Sequence, residues 1–132
     1  MLLTINGADK TSGNFNDFFI NCNPPIDDIS SVELVYMTIP SHAGYVSLYF
    51  VEIQGFNNPV ISTLKNGSGR FTFVVPNDGN KANAVFHTNS HFIQQFQQIP
   101  TVSLSNLRIS IFDENGILVT LTSDVQLILR VN

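Results

Sequence analysis

Ser31-Val32-Glu33-Leu34-Val35-Tyr36-Met37-Thr38-Ile39-Pro40 decides how this chain folds. The run has no helical period, and it is rich in β-branched and aromatic side chains. Read as a strand, it sets Val32, Leu34 and Tyr36 on one face and Val35, Met37 and Ile39 on the other. Val46 to Gln54 behaves the same way, with Val46, Leu48 and Phe50 opposed by Tyr45, Tyr49, Val51 and Ile53. An antiparallel sheet normally turns one face to the core and the other to water. Apolar residues on the second face therefore predict another layer of the same chain or a neighbouring subunit.

Outward from this centre the same pattern recurs. Leu2 to Asn6 reads as a first strand, and Asn6-Gly7 opens a polar loop. Phe15 to Asn21 reads as a second strand that Pro24-Pro25 stops, since neither proline can donate to a ladder. Downstream, Lys65-Asn66-Gly67-Ser68-Gly69 carries the Asn-Gly step of a hairpin turn. Arg70 to Val75 then alternates with Phe71, Phe73 and Val75 on one side, and Pro76-Asn77-Asp78-Gly79-Asn80 closes it. Ala84 to His87 is extended, while His91 to Gln98, with Phe92 and Phe96 four apart, predicts a turn or two of helix. Leu107 to Asp113 is a strand with Leu107, Ile109 and Ile111 inward. Glu114-Asn115-Gly116 turns it into Ile117 to Thr122, and Val125 to Val131 puts Val125, Leu127, Leu129 and Val131 on one face. About eight short strands with no repeat period fit a two-sheet sandwich, a jelly roll or a small barrel in one domain, 1–132.

Composition narrows the function. Of 132 residues 12 % are charged, against roughly 25 % in ordinary domains, so a partner is expected to cover part of the surface. Polarity comes instead from amides and hydroxyls, including 15 asparagines, which hydrogen-bond without the desolvation cost of a charge. A net charge of −4 with six scattered basic residues offers no footprint for a phosphate backbone, so direct nucleic-acid binding is not expected. No apolar run approaches the roughly 20 residues of a membrane helix, and the first residues lack the basic and apolar regions of a secretory signal. Cys22 is the one cysteine and reads as a small packing residue.

Candidate chemistry is sparse. His87-Thr88-Asn89-Ser90-His91 has a metal-binding spacing on a helix but lacks a third ligand nearby, so a metal is disfavoured. Ser41-His42 is adjacent rather than opposed, and no Gly-x-Ser-x-Gly elbow occurs. Asp27-Asp28 and Asp113-Glu114 are paired carboxylates that read as turn residues, although two carboxylates across a cleft also serve glycoside hydrolysis. Gly67-Ser68-Gly69 precedes a strand rather than a helix, so it is no phosphate loop, and Asn66-Gly67-Ser68 matches a glycosylation acceptor. Eleven Phe against three Tyr and no Trp points to core rather than a stacking platform. The sequence thus predicts no catalytic, cofactor-binding or metal residues and no cofactor.

Phe15-Asn-Asp-Phe-Phe-Ile-Asn-Cys-Asn-Pro-Pro25 followed by Val32-Glu-Leu-Val-Tyr-Met-Thr-Ile-Pro40 resembles the opening strands of single-jelly-roll minor capsid and penton-type proteins of icosahedral double-stranded DNA viruses and virophages. In that family a strand ending in Ile-Pro precedes an aromatic loop. Phe71-Thr-Phe-Val-Val-Pro76, Leu107-Arg-Ile-Ser-Ile-Phe-Asp-Glu-Asn-Gly116 and Asp124 to Val131 are similar to its later strands. The resemblance implies an all-β, eight-stranded antiparallel two-sheet sandwich, a single jelly roll. It also implies a non-enzymatic capsid subunit that forms a homo-oligomer, with a pentamer favoured, meets other capsid proteins and resides in the virion. The alternative is a β-sandwich recognition module that binds a glycan or protein receptor through the loops Ile39 to Tyr45 and Pro76 to Asn83.

Overall fold

Alternating apolar residues build an all-β, antiparallel chain in the computed structural model, which describes residues 1–61, 70–77 and 83–132. The strands are β1 (Leu2–Asn6), β2 (Ser12–Gly13), β3 (Asp17–Ile39), β4 (Leu48–Gln54), β5 (Val60–Ile61), β6 (Arg70–Phe71), β7 (Phe73–Pro76), β8 (Ala84–His87), β9 (Gln94–Phe112) and β10 (Gln126–Val131). Eight of them form one sheet in the order β1-β10-β3-β9-β4-β7, with β2 and β8 also on β3, while β5 and β6 pair separately. Among the described residues the one helical turn is the 3-10 turn Gly7–Asp9. The expected hairpin turn at Lys65–Gly69 lies outside the described residues.

Two long strands organise the sheet. β3 and β9 run antiparallel from Asp17 opposite Ser110 to Leu34 opposite Gln94, slipping register between Asn21 and Ile26 and again up to Ser31. Pro24-Pro25 therefore does not end a strand as expected. Between Asn21 and Ile26 the partner advances only from Asn106 to Leu104, so the prolines occupy extra residues that need no ladder bond, and such slips bend the strand. Curling brings side chains from β1, β3, β4, β7, β8, β9 and β10 into one core. Phe73 and Val75, then Leu107, Ile109 and Ile111, and finally Val125 and the alternate residues of β10 are buried in this core, whereas Phe71, expected on the side of Phe73 and Val75, is buried on the outer face instead.

Gln94 closes the curl. Its side chain is buried; Nε2 donates to the Val74 carbonyl at 2.6 Å and Oε1 accepts the Val74 N–H at 2.7 Å. An amide has the donor and acceptor of a peptide group, so it caps the outer edge of β7 as a neighbouring strand would.

The two-sided apolar pattern of residues 32 to 54 has two internal causes. Leu34 and Tyr36 oppose the adjacent Leu129 and Ile128, leaving Val35 as the extra residue of a β-bulge. Val32 and Leu34 point inward before the bulge, and Met37 and Ile39 after it, so a single buried face changes phase. The other cause lies on β4, where Tyr49, Val51 and Ile53 face the core and Phe50 faces out beneath Phe71, with ring centroids 5.1 Å apart. Phe71 in turn meets Phe112 at 5.5 Å, so the outer face of β4 is covered by the chain's own β6. A neighbouring subunit is not needed to cover either strand.

Two further expectations are corrected. Residues 94–98 belong to β9, not to a helix, because Gln94 to Gln97 pair with Leu34 back to Ser31. Phe92 and Phe96 pack instead against Phe86 and Phe73. Ile117 to Thr122 is not a strand beyond the single bridge Phe112–Leu118. There the Val119 N–H donates to the Ile111 carbonyl at 3.1 Å, while its own carbonyl accepts from Asn16 Nδ2 at 2.7 Å rather than from a further strand.

Candidate functional site

Three loops meet at one end of the sheet. The first follows β3 and runs from Pro40 to Ser47; the second begins at Asn77 after β7; the third is the turn from Asp113 after β9. Asn77 ties the first two together, donating its N–H to the Ser47 carbonyl and its Nδ2 to the Val46 carbonyl, both at 3.0 Å. Ser47 N–H in turn donates to Glu114 Oε2 at 3.2 Å, which brings in the third. Asp113 holds that turn closed: its Oδ1 accepts from the N–H groups of Asn115 at 2.8 Å and Ile117 at 3.0 Å, and Gly116 supplies the left-handed φ of 77°. Tyr45, Leu48, Ile117 and Leu118 are left exposed around these contacts.

Beneath the first loop, His42 and Tyr49 form a pair that adjacency in sequence did not disclose. Nδ1 of His42 lies 3.0 Å from the Ala43 carbonyl and Nε2 lies 2.7 Å from Tyr49 Oη. A carbonyl only accepts, so Nδ1 carries the proton and Nε2 accepts from the phenol. Tyr49 is fully buried, and burial first, then the Glu114 charge and Tyr45, pushes its phenol up to about 12. Such a phenol stays neutral and anchors the loop; it is not a nucleophile. Ser41 is exposed, and both ring nitrogens of His42 are engaged by the Ala43 carbonyl and Tyr49 Oη.

The other candidates disperse. His87 is exposed and tilts over Tyr36 at 4.8 Å, while His91 sits in a turn whose N–H is held by Asn89 Oδ1 at 2.9 Å. Both line a cleft of about 250 Å3 with Phe92, but among the described residues no three metal-ligating side chains come together. Asp27 and Asp28 are exposed, with Asp28 at φ 55°, a turn conformation that Asp tolerates. Cys22 is half-buried with its thiol pushed up by burial, the opposite of activation. Asn66-Gly67-Ser68 and residues 78–82 of the second loop lie outside the described residues.

Sequence reading also missed a charged clamp on the outer face. Arg108 donates from Nε and Nη2 to the two carboxylate oxygens of Asp17 at 2.8 and 2.7 Å, and Ser110 Oγ donates to Oδ1 at 2.9 Å. The Arg108 hydrogen bond holds the Asp17 carboxyl below its usual range, against the upward push of burial. Register is the signal that finds it, since Asp17 sits opposite Ser110 and Arg108 opposite Phe19, diagonal across the ladder. Its polar groups satisfy one another, so the clamp orders β3 against β9. No protein-family model matches this chain, and no curated protein matches it.

Proposed function

We propose that this chain is a non-enzymatic structural subunit of a viral capsid, an eight-stranded two-sheet jelly roll that self-assembles as a penton at a vertex or serves as another minor capsid protein. One observation carries the reading: the segments that resemble the capsid family fall on strands, all but Phe71 in β6 on those of one curled antiparallel sheet. Phe15–Pro25 and Val32–Pro40 run into and along β3, Phe71–Pro76 covers β6 and β7, the Leu107 segment ends β9, and the Asp124 segment becomes β10. β3 ends at Ile39, Pro40 follows, and the loop beyond presents Tyr45.

In this reading the first half of β3, the second half of β9, β2, β4 and β7 make one layer. The second half of β3, the first half of β9, β1, β8 and β10 make the other, and the long strands cross between layers at their proline bends. The partners are copies of the chain, with a pentamer favoured, and other capsid proteins within the virion. Genome contact is left to other proteins, because Lys10, Arg108 and Arg130 are spent on Asp124, Asp17 and Glu33. Light scattering and electron microscopy of the purified chain test this: five-fold rings are expected, and a strictly monomeric species at micromolar concentration and physiological salt refutes it. A second reading, recognition of a glycan or protein receptor by the loop end, is favoured by Asn77 drawing the two loops together beside exposed Tyr45. Tight binding by a monomer on a glycan array or in a pull-down supports that reading instead.

A further inference from the structure

We propose that β1 is a pairing edge, taking the β1 of a second copy in antiparallel register about Thr4. The proposal deepens the assembly reading and rests on it for the partner being a copy of this chain; what it adds is the surface.

β1 hydrogen-bonds to β10 on one side and has no strand neighbour on the other among the described residues. A bare row of backbone donors and acceptors invites another strand, and folded proteins block such rows by proline, charge, bulges or short length. Four other edge stretches among the described residues are blocked in these ways. Gln94 caps β7, which ends at Pro76. β2 is two residues long and ends at Gly13, where a Cβ would run into the Asp17 carbonyl and the Phe18 backbone. The rim of β3 beyond β2 contains Pro24 and Pro25, and on the outer side of β9 Asn57 Nδ2 donates to the Ile99 carbonyl at 3.4 Å beside Pro100.

β1 carries none of these devices. Leu2-Leu3-Thr4-Ile5-Asn6 has no proline and no ionisable side chain, and it pairs with β10 in unbroken register. A two-fold axis at Thr4 sets Thr4 against Thr4, Leu3 against the partner's Ile5 and Leu2 against the partner's Asn6. Leu3 and Ile5 face the core side and Thr4 is exposed, so apolar meets apolar and hydroxyl meets hydroxyl, the pairs that stabilise antiparallel ladders. Two chains of net charge −4 meet there without opposing a charge on either strand. The contact is isologous and closes at two copies, so it joins one ring of the proposed assembly to another, does not itself form the five-fold ring and does not propagate into fibres.

Light scattering on the full chain is the test. Thr4→Lys is expected to halve the associated mass from an even multiple of 14.6 kDa, because the two-fold sets two introduced ammonium groups face to face. Thr4→Asp does the same alone, and mixing the two variants is expected to restore the wild-type mass, which no folding defect in either could achieve. Wild-type association that survives both substitutions, or that does not return on mixing, overturns the pairing edge and leaves assembly standing. A wild-type chain that stays at 14.6 kDa overturns both.

Discussion

Replacing Gln94 by leucine removes the amide that closes the sheet and keeps nearly the same volume in the core. The loss is worked from two bonds. Val74 N–H and C=O both lose a short partner, at 2.7 and 2.6 Å, and leucine offers neither donor nor acceptor. Each bond is worth about 1 kcal/mol net, and a group left dry costs about 1–3 kcal/mol. Val74 is half-buried, so water reaches part of it, which places the total at about 2–3 kcal/mol. An unfolding entropy of about 2.1 cal/mol/K per residue over this 132-residue chain converts that to a fall in Tm of about 7–11 °C. Calorimetry or thermal circular dichroism measures it, with Gln95→Leu as the control because Gln95 is the exposed neighbour on the same strand. The control is expected to stay within about 2 °C, as surface substitutions do. If Gln94→Leu matches the control, the side chain does not act as the missing strand and the closure argument fails.

Acid stability depends on Asp17. Its carboxyl is held low by Arg108, so its contribution is complete above the unfolded carboxylate range and is lost as pH falls through the lower folded value. Asp17→Asn is expected to lower Tm at neutral pH and to flatten the acid limb of Tm against pH; an unchanged limb refutes the clamp. Alkaline titration reads Tyr49. With the folded phenol pushed up to about 12 from an ordinary value near 10, stability is complete below about pH 10 and declines as pH rises towards 12. Ultraviolet absorbance is expected to show a phenolate step near pH 12 that Tyr49→Phe abolishes, and a step that persists in the variant assigns it elsewhere.

Period-two alternation made most of this fold legible. Leu107, Ile109 and Ile111, or Leu127, Leu129 and Val131, declare their buried face without reference to the rest of the chain. Bends and closures were not legible, because they depend on which residues come opposite. Pro24 breaks a ladder only if an N–H is required at its position, and the slip from Asn21 to Ile26 removes that requirement. Gln94 looks like any polar residue until β7 lies beside it. At the loop end, Ile39 to Tyr45 could be named in advance as candidate contact residues. The His42–Tyr49 bond could not, since it needs the loop to fold back over the head of β4.

The scarcity of charge also changes meaning. Between Val32 and Gln54 only Glu33 and Glu52 are charged, which read as a face awaiting a neighbour. In the folded chain the bulge at Val35 and the Phe50–Phe71–Phe112 cluster account for those apolar side chains internally. Glu33 is itself buried, held by Arg130 Nη1 at 2.8 Å and Thr88 Oγ1 at 3.2 Å, so it belongs to the internal network rather than to a wetted face. The proposed assembly can draw on little of that stretch, because only Tyr45 and Leu48 of its large apolar side chains remain exposed. It must draw on what remains outside: the uncharged edge at β1 with Leu2, and the loop end with Tyr45, Leu48, Ile117 and Leu118. Those regions lie on different strands, so substitutions at Thr4 and at Tyr45 separate a two-fold edge contact from contacts made by the loops.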